Sequence, residues 1–230
     1  LVEDTNKYIL VLGSKPDSFV PNLNYSHIYS ANGAAEKTVE LTKNSETVKF
    51  TSIVGGLEFL KNLKVQKRVI ESNPDNLISR VNKIDIKKFN FIKQPNYEFF
   101  SNFKQFMFQS NFFKFGLLDI ISKEMNYEDK LLYKFKHLFK SIKSGIGAST
   151  GFFAILYALK KHPEHKIIIS GIGMSGGGQY YDINSDRYTK RAMVDKKLIL
   201  NLKKKYKDRL FTTDENLSYY GKLKIWNSYR

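Results

Sequence analysis

The chain contains no cysteine, which excludes disulfides, thiolate metal ligands and a cysteine nucleophile, and fits a reducing compartment. It also lacks any apolar run near the roughly 20 residues that a membrane-spanning helix requires. Leu1, Val2, Glu3 and Asp4 are neither basic nor followed by an apolar stretch, so the first residues do not read as a secretory leader. Negative charge is the scarcer sign. Against 38 Lys and Arg stand 22 Asp and Glu, for a net charge of +16 over 230 residues. That imbalance suits anionic partners: an acidic substrate, an anionic lipid surface or nucleic acid. The densest basic stretch, Lys203, Lys204, Lys205, Lys207 and Arg209, with Lys196 and Lys197 before it, reads as a solvated helix end that can also meet an anionic membrane.

Several motifs are missing as well. Gly13-Ser14-Lys15-Pro16 lacks the Gly-x-Gly-x-x-Gly spacing of a dinucleotide turn, and no glycine precedes a Gly-Lys-Ser/Thr at the Walker distance. No Asp-x-Asp follows an apolar run. The four histidines, His27, His137, His162 and His165, do not pair with carboxylates at ligand spacing. No metal site and no cofactor are therefore expected.

What is present is a regular alternation of apolar runs and helical patterns. Strands are expected at residues 8–12, 27–31, 48–54, 67–70, 166–170 and 209–212, the last of these closing the sheet. Helices are expected at residues 34–41, from Glu58 to Lys61, from Asn73-Pro74-Asp75 onward, at 152–159 and at 193–206. Val194, Leu198, Leu202 and Tyr206 form an i, i+4 stripe in the last of these. Such alternation predicts an α/β fold: a mostly parallel sheet with helices on both faces. With no repeat and no low-complexity linker, residues 1–230 read as one domain. Within it, residues 95–145 are expected to form a helical, Phe-rich insertion. Phe99, Phe100, Phe103, Phe106, Phe112, Phe113 and Phe115 recur there at helical spacing, which suits a core or a lid.

Three strand ends carry glycine or small residues: Gly13-Ser14-Lys15-Pro16, Ala31-Asn32-Gly33 and Ser170-Gly171-Ile172-Gly173. A fourth small-residue turn, Ala148-Ser149-Thr150-Gly151, opens an apolar helix, with Ser149 or Thr150 as its N-cap. At the carboxyl edge of a parallel sheet, such turns present amide N–H groups to phosphate.

The stretch Ser149-Thr150-Gly151-Phe152-Phe153-Ala154-Ile155-Leu156-Tyr157-Ala158-Leu159, followed by Ile168-Ile169-Ser170-Gly171-Ile172, resembles the central signature of bacterial sialyltransferases of glycosyltransferase family 42. Leu12-Gly13-Ser14-Lys15-Pro16 and Ala31-Asn32 are similar to that family's first nucleotide turn and to its Asn after the second strand. The resemblance implies a Rossmann-like fold and an inverting, metal-independent transferase that uses a CMP-activated acidic sugar. It assigns Asn32, Ser149, Thr150 and Gly151 to the donor nucleotide, together with Gly13, Ser14, Gly171 and Gly173. The family strand ends in Asp where Gly173 stands. Of the two tyrosines that the family sets on the leaving phosphate, Tyr180 or Tyr181 matches the second, whereas the first falls near Ser175. The family's catalytic His aligns with Lys190 or Arg191, and no histidine follows His165. Lys15, Lys190 and Arg191 would then grip phosphate or the sugar carboxylate. Asp195 is the expected base, with Tyr188 behind it.

The expected activity is transfer of sialic acid, or of Kdo, from a CMP donor to a lipooligosaccharide or capsular glycan. The expected location is the cytoplasm, with peripheral contact at the inner membrane, and a homo-oligomer is among the assemblies allowed. Two alternatives stand beside it: a non-catalytic transferase-fold partner in polysaccharide assembly, and a basic nucleic-acid-binding protein. Nucleic acid is not the expected partner.

Overall fold

The computed structural model describes residues 8–16, 18–42, 47–113, 148–174 and 190–226, with the backbone alone for 190–194. Eight strands form one parallel sheet: β1 (Tyr8–Leu12), β2 (Tyr25–Ala31), β3 (Lys49–Gly55), β4 (Asn76–Arg80), β5 (Asn96–Phe100), β6 (Lys166–Ser170), β7 (Leu210–Thr212) and β8 (Lys224–Ile225). Their order is β5-β4-β3-β2-β1-β6-β7-β8, each neighbouring pair parallel. The chain winds outward from β1 to β5, returns to place β6 on the other side of β1, and winds outward again. The direction reverses between β1 and β6, and the arrangement is Rossmann-like.

β1 and β6 lie at the middle of this sheet. Ile9, Leu10, Val11 and Leu12, and Ile167, Ile168 and Ile169, are fully buried. Strands covered on both faces need apolar residues at every position rather than at alternate ones. One face packs on α1 (Glu36–Thr42), α2 (Gly56–Lys61) and α3 (Leu63–Glu71), the other on α4 (Asn102–Phe113), α5 (Thr150–Lys161), α6 (Lys190–Tyr206) and α7 (Glu215–Gly221). α5 is apolar around its whole circumference because it is enclosed on every side; residues Phe152 to Leu159 are all buried. It lies across β1, β2, β3 and β6. Its polar ends suit its dipole: Ser149 caps the start, and Lys160 and Lys161 close the last turn.

Three expected segments change type. Residues 67–70 are helical, not a strand: they belong to α3, whose start is capped by Asn62 Oδ1, accepting from the amides of Lys64 and Val65. Val65 and Val69 are buried one turn apart, so helical spacing overrides the strand preference of valine and isoleucine. The helix expected from Asn73-Pro74-Asp75 is instead the exit from α3. Asn73 takes a φ of 47° beyond the helix end, and β4 follows at Asn76. Residues 96–100, within the segment expected to be helical, pair with β4 as a sheet edge, so the helix starts only at Asn102. Residues 114–147 lie outside the described part. Thr212 is not the last strand residue, since α7 and β8 follow.

Among its described residues, the connection from β1 to β2 has no helix. Parallel neighbours commonly need a helical crossover, but here a coil does the work, pinned at defined atoms. The Phe19 carbonyl accepts from Ser170 Oγ (2.6 Å) and Thr213 Oγ1 (2.8 Å), and the Pro21 carbonyl accepts from Tyr25 Oη (2.7 Å). The coil thereby lies over the carboxyl ends of β6 and β7.

A cluster of rings lies at the amino end of β2. His27 stacks on Tyr29 with centroids 4.3 Å apart, His27 Nε2 meets Thr51 Oγ1 at 2.8 Å, and Tyr29 Oη meets His162 Nε2 at 2.9 Å. Burial, with His162 and Lys49 nearby, pushes His27 down to about 3. Burial, with His165, Lys161 and Arg209 nearby, pushes His162 down to about 4. Both are neutral in the folded state. As pH falls through the unfolded value near 6.5, the unfolded chain takes up protons that the folded chain refuses. Stability is therefore full above about pH 6.5 and declines toward pH 4. Between pH 7.5 and 5, above the range of most carboxylates, urea unfolding is expected to lose about 2–3 kcal/mol, His162 counting for less because it is partly exposed. The His27→Gln variant should show a flatter profile over that interval; an unchanged slope would exclude His27 as its source.

Candidate functional site

At the carboxyl edge, the point where the winding reverses is filled by the chain's own backbone. The Gly13 amide donates to the Ser170 carbonyl (2.8 Å), and the Lys15 amide donates to the Gly171 carbonyl (2.9 Å). A Cβ on Gly13 would lie 2.1 Å from the Gly171 oxygen, and one on Gly171, whose φ is +70°, 2.6 Å from the Gly13 oxygen. Both glycines are thus accounted for by their mutual contact. Lys15 Nζ pairs with Asp214, whose Oδ1 also accepts from the Leu217 amide to cap α7. The lysine expected to face phosphate is engaged across the β1 and β7 ends. Ser14 is half-buried beside it, and Gly173 is exposed just beyond β6.

The remaining residues expected at the edge lie one strand over, where β2, β3 and α5 meet. Asn32, directly after β2, has a φ of 51°, a conformation asparagine tolerates better than most residues. Its Oδ1 accepts from the Gly55 amide at 2.9 Å. A point one Cβ bond out from Gly55 is 3.8 Å from Thr150 Oγ1 and 4.0 Å from Asn32 Oδ1. Two residues 118 positions apart in sequence therefore border one small space.

Thr150 and Gly151 supply the first helical amides of α5. Ser149 Oγ accepts from the Phe152 amide (3.1 Å) and the Ser149 carbonyl accepts from the Phe153 amide (2.8 Å). The Thr150 and Gly151 amides make no hydrogen bond among the described residues. Such amides, with the helix dipole behind them, attract an anion. Gly151 faces Ile172, whose side chain would lie 3.3 Å from an added Cβ.

The residues just before α5 are held from three directions. Arg80, the last residue of β4 and only 3% exposed, donates from Nη2 to the Ala148 carbonyl (2.7 Å) and from Nε to Gln105 Oε1 (2.9 Å). Gln109 Oε1 accepts from the Ala148 amide (3.0 Å). Asp195 Oδ1, on α6, accepts from the Ser149 amide (3.0 Å). Side chains from β4, α4 and α6 thus fix a two-residue segment and so aim the start of α5. The Arg80 guanidinium also lies 4.6 Å from the Phe153 ring centroid.

Val81, directly after Arg80, has a φ of 72°, a genuine outlier for a β-branched residue. The Asn82 amide donates across it to the Arg80 carbonyl (2.8 Å), closing a strained three-residue turn. Gly56 backs that turn, since a Cβ there would fall 2.0 Å from the Asn82 oxygen. Positive-φ residues directly follow β2, β4 and β6 on the same edge of the sheet.

Of the residues expected at the site, Asn32, Ser149, Thr150, Gly151 and Asp195 come together. Gly13, Lys15 and Gly171 instead lock β1, β6 and β7. Asp195 is no surface residue: it is 5% exposed and spent through Oδ1 on the Ser149 amide. Tyr180, Tyr181 and Tyr188 lie outside the described residues. Lys190 and Arg191 open α6, but their side chains lie outside the described part. Sequence reasoning missed Arg80, Gln105 and Gln109. A charged residue ending an apolar strand was the available signal for Arg80, hidden because that segment read as helix.

Among the described residues, no group of three or more histidines and carboxylates gathers to hold a metal ion. No family model matches the chain, and no curated protein or solved structure matches it either.

Proposed function

We propose that the edge formed by Asn32, Gly55 and the start of α5 binds the nucleotide of a CMP-activated acidic keto-sugar, sialic acid or Kdo, and that the protein transfers the sugar with inversion to a bacterial surface glycan. The observation that carries this reading is the start of α5, where the Thr150 and Gly151 amides make no hydrogen bond among the described residues and Thr150 Oγ1 borders Gly55 together with Asn32 Oδ1. Helix amides offer the departing phosphate fixed positive ends of dipoles, and one such preorganised donor is worth about 3 kcal/mol in a transition state. The hydroxyl and amide groups at the same edge suit the polar face of a pyrimidine or a ribose. The resemblance assigns Asn32, Ser149, Thr150 and Gly151 to this nucleotide, and these are residues the fold brings together.

Transfer also needs a group to take the acceptor's proton. Asp195 is a carboxylate in direct contact with the residue before the helix, through the Ser149 amide. Its hold on Ser149 makes it a positioning residue as well, and the two roles separate by substitution. Asn at 195 keeps an oxygen acceptor for the Ser149 amide yet cannot accept a proton. Asp195→Asn is expected to leave CMP binding and Tm close to wild type while lowering transfer about 100-fold or more. Sugar release from CMP-sialic acid and CMP-Kdo, followed with and without glycan acceptors, checks this.

The commitment of Asp195 to Ser149 also favours a second reading, a non-catalytic partner that keeps the nucleotide site. CMP binding without turnover in the wild type, unchanged in Asp195→Asn, identifies that case.

A further inference from the structure

Away from the carboxyl edge, a groove of about 280 Å³ opens between α4, β5 and the C-terminal end of α5. Its floor is aromatic: Phe100 and Phe108 meet edge to face at 5.6 Å, with Tyr157 beside them. Its rim is basic. Glu98 lies in the groove, but its two oxygens accept from Lys104 Nζ (2.7 Å) and Tyr157 Oη (3.0 Å), so Glu98 and Lys104 cancel. Lys160 and Lys161 remain exposed and, among the described residues, make no ion pair. Lys160 Nζ lies 5.1 Å from the Phe108 centroid and Lys161 Nζ 5.5 Å from that of Tyr157. Beside the groove, α4 turns Phe103 (60% exposed) and Met107 (48% exposed) to solvent, one helical turn apart.

We propose that this face docks on an anionic lipid bilayer. Phe103 and Met107 enter the headgroup boundary while Lys160 and Lys161 meet lipid phosphates, the arrangement of an interfacial amphipathic surface. Charge and apolar exposure coincide here: two exposed cations, unpaired among the described residues, sit beside two exposed apolar side chains. A nucleic-acid strand fits less well. Base stacking needs open ring faces, and Phe100 and Phe108 are buried, leaving Phe103 as the one exposed ring of the group. No helix among the described residues is long and apolar enough to cross a membrane, so the contact is peripheral. This proposal does not depend on the nucleotide reading.

The test is flotation of the full chain with vesicles of phosphatidylcholine alone or with about one-third phosphatidylglycerol. Binding is expected only to the anionic vesicles and is expected to weaken as salt rises. Lys160→Glu/Lys161→Glu is expected to weaken partitioning about tenfold or more. Phe103→Ser/Met107→Ser should weaken it further at high salt, where charge is screened. Both pairs are exposed, so folding is checked by an unchanged Tm. The control is Lys203→Glu/Lys204→Glu/Lys205→Glu at the end of α6, which carries a denser charge. Binding lost in that control but kept in the groove variants would overturn the proposal. So would no vesicle binding, or salt-sensitive oligonucleotide binding that depends on Lys160 and Lys161 in its place.

Discussion

Gly13→Ala is expected to destabilise the protein by about 4 kcal/mol, enough to lower Tm by roughly 10 °C or to prevent soluble expression. The added methyl would meet a carbonyl oxygen at 2.1 Å, and that oxygen belongs to backbone. No rotamer change relieves such a contact. β1 and β6 are paired along their length, and the Gly13 and Lys15 amides tie the turns together beyond them. Relief requires parting two strands in the middle of the sheet. The comparison is Gly151→Ala, where the methyl meets the Ile172 side chain at 3.3 Å. That side chain can shift, and alanine favours the helix by up to about 1 kcal/mol, so this variant should lie within about 1 kcal/mol of wild type. Chemical unfolding of both reads the difference. Equal, mild effects would mean that the two strand ends are farther apart than described.

The second large effect is expected at Arg80. Arg80→Met should cost about 3 kcal/mol, because it leaves the Ala148 carbonyl and Gln105 Oε1 buried without their donor. Arg80→Lys restores the charge but not the two-pronged geometry, and is expected to recover only part of that loss. A purely structural role would move Tm alone. A role in aiming α5 should also weaken CMP binding under conditions where the variant is folded, while Gln109→Leu, which frees the Ala148 amide, should do so more mildly. Titrations at a temperature well below each Tm separate the two.

The expectation of an α/β fold rested on apolar runs, and those at 8–12 and 166–170 are strands because nothing competes with burial at the centre of a two-faced sheet. The start of α5 was equally legible, since Ser149 before an apolar run is a local capping signal. The segment 63–80 was misread because its meaning is tertiary. Valines favour strands in isolation, but Val65 and Val69 sit one turn apart over a core that only the folded chain provides. The edge strand β5 was missed for a related reason: its side chains are mostly half-exposed, so no apolar run marks it.

At the site, the turns that carry glycine drew attention, yet two of those glycines serve each other. Glycine tells the reader that something comes close, and only the fold shows whether it is a ligand or another strand. Conversely, of the clamp formed by Arg80, Gln105, Gln109 and Asp195 only Asp195 was singled out, and as a base, because contacts that join β4, α4 and α6 to the backbone of Ala148 and Ser149 leave no local pattern in the sequence.

The measurement that bears most directly on the nucleotide site is a thermal-shift titration with CMP, UDP and GDP, on the wild type and on Asn32→Ala. A ligand that binds only the folded state at about 100 times its Kd adds about 2.7 kcal/mol. CMP is expected to raise Tm by several degrees in a saturable way, UDP and GDP far less, and Asn32→Ala should blunt the CMP effect. No shift with CMP, or stabilisation by UDP or GDP alone, would contradict the assignment of this edge to a CMP-activated donor.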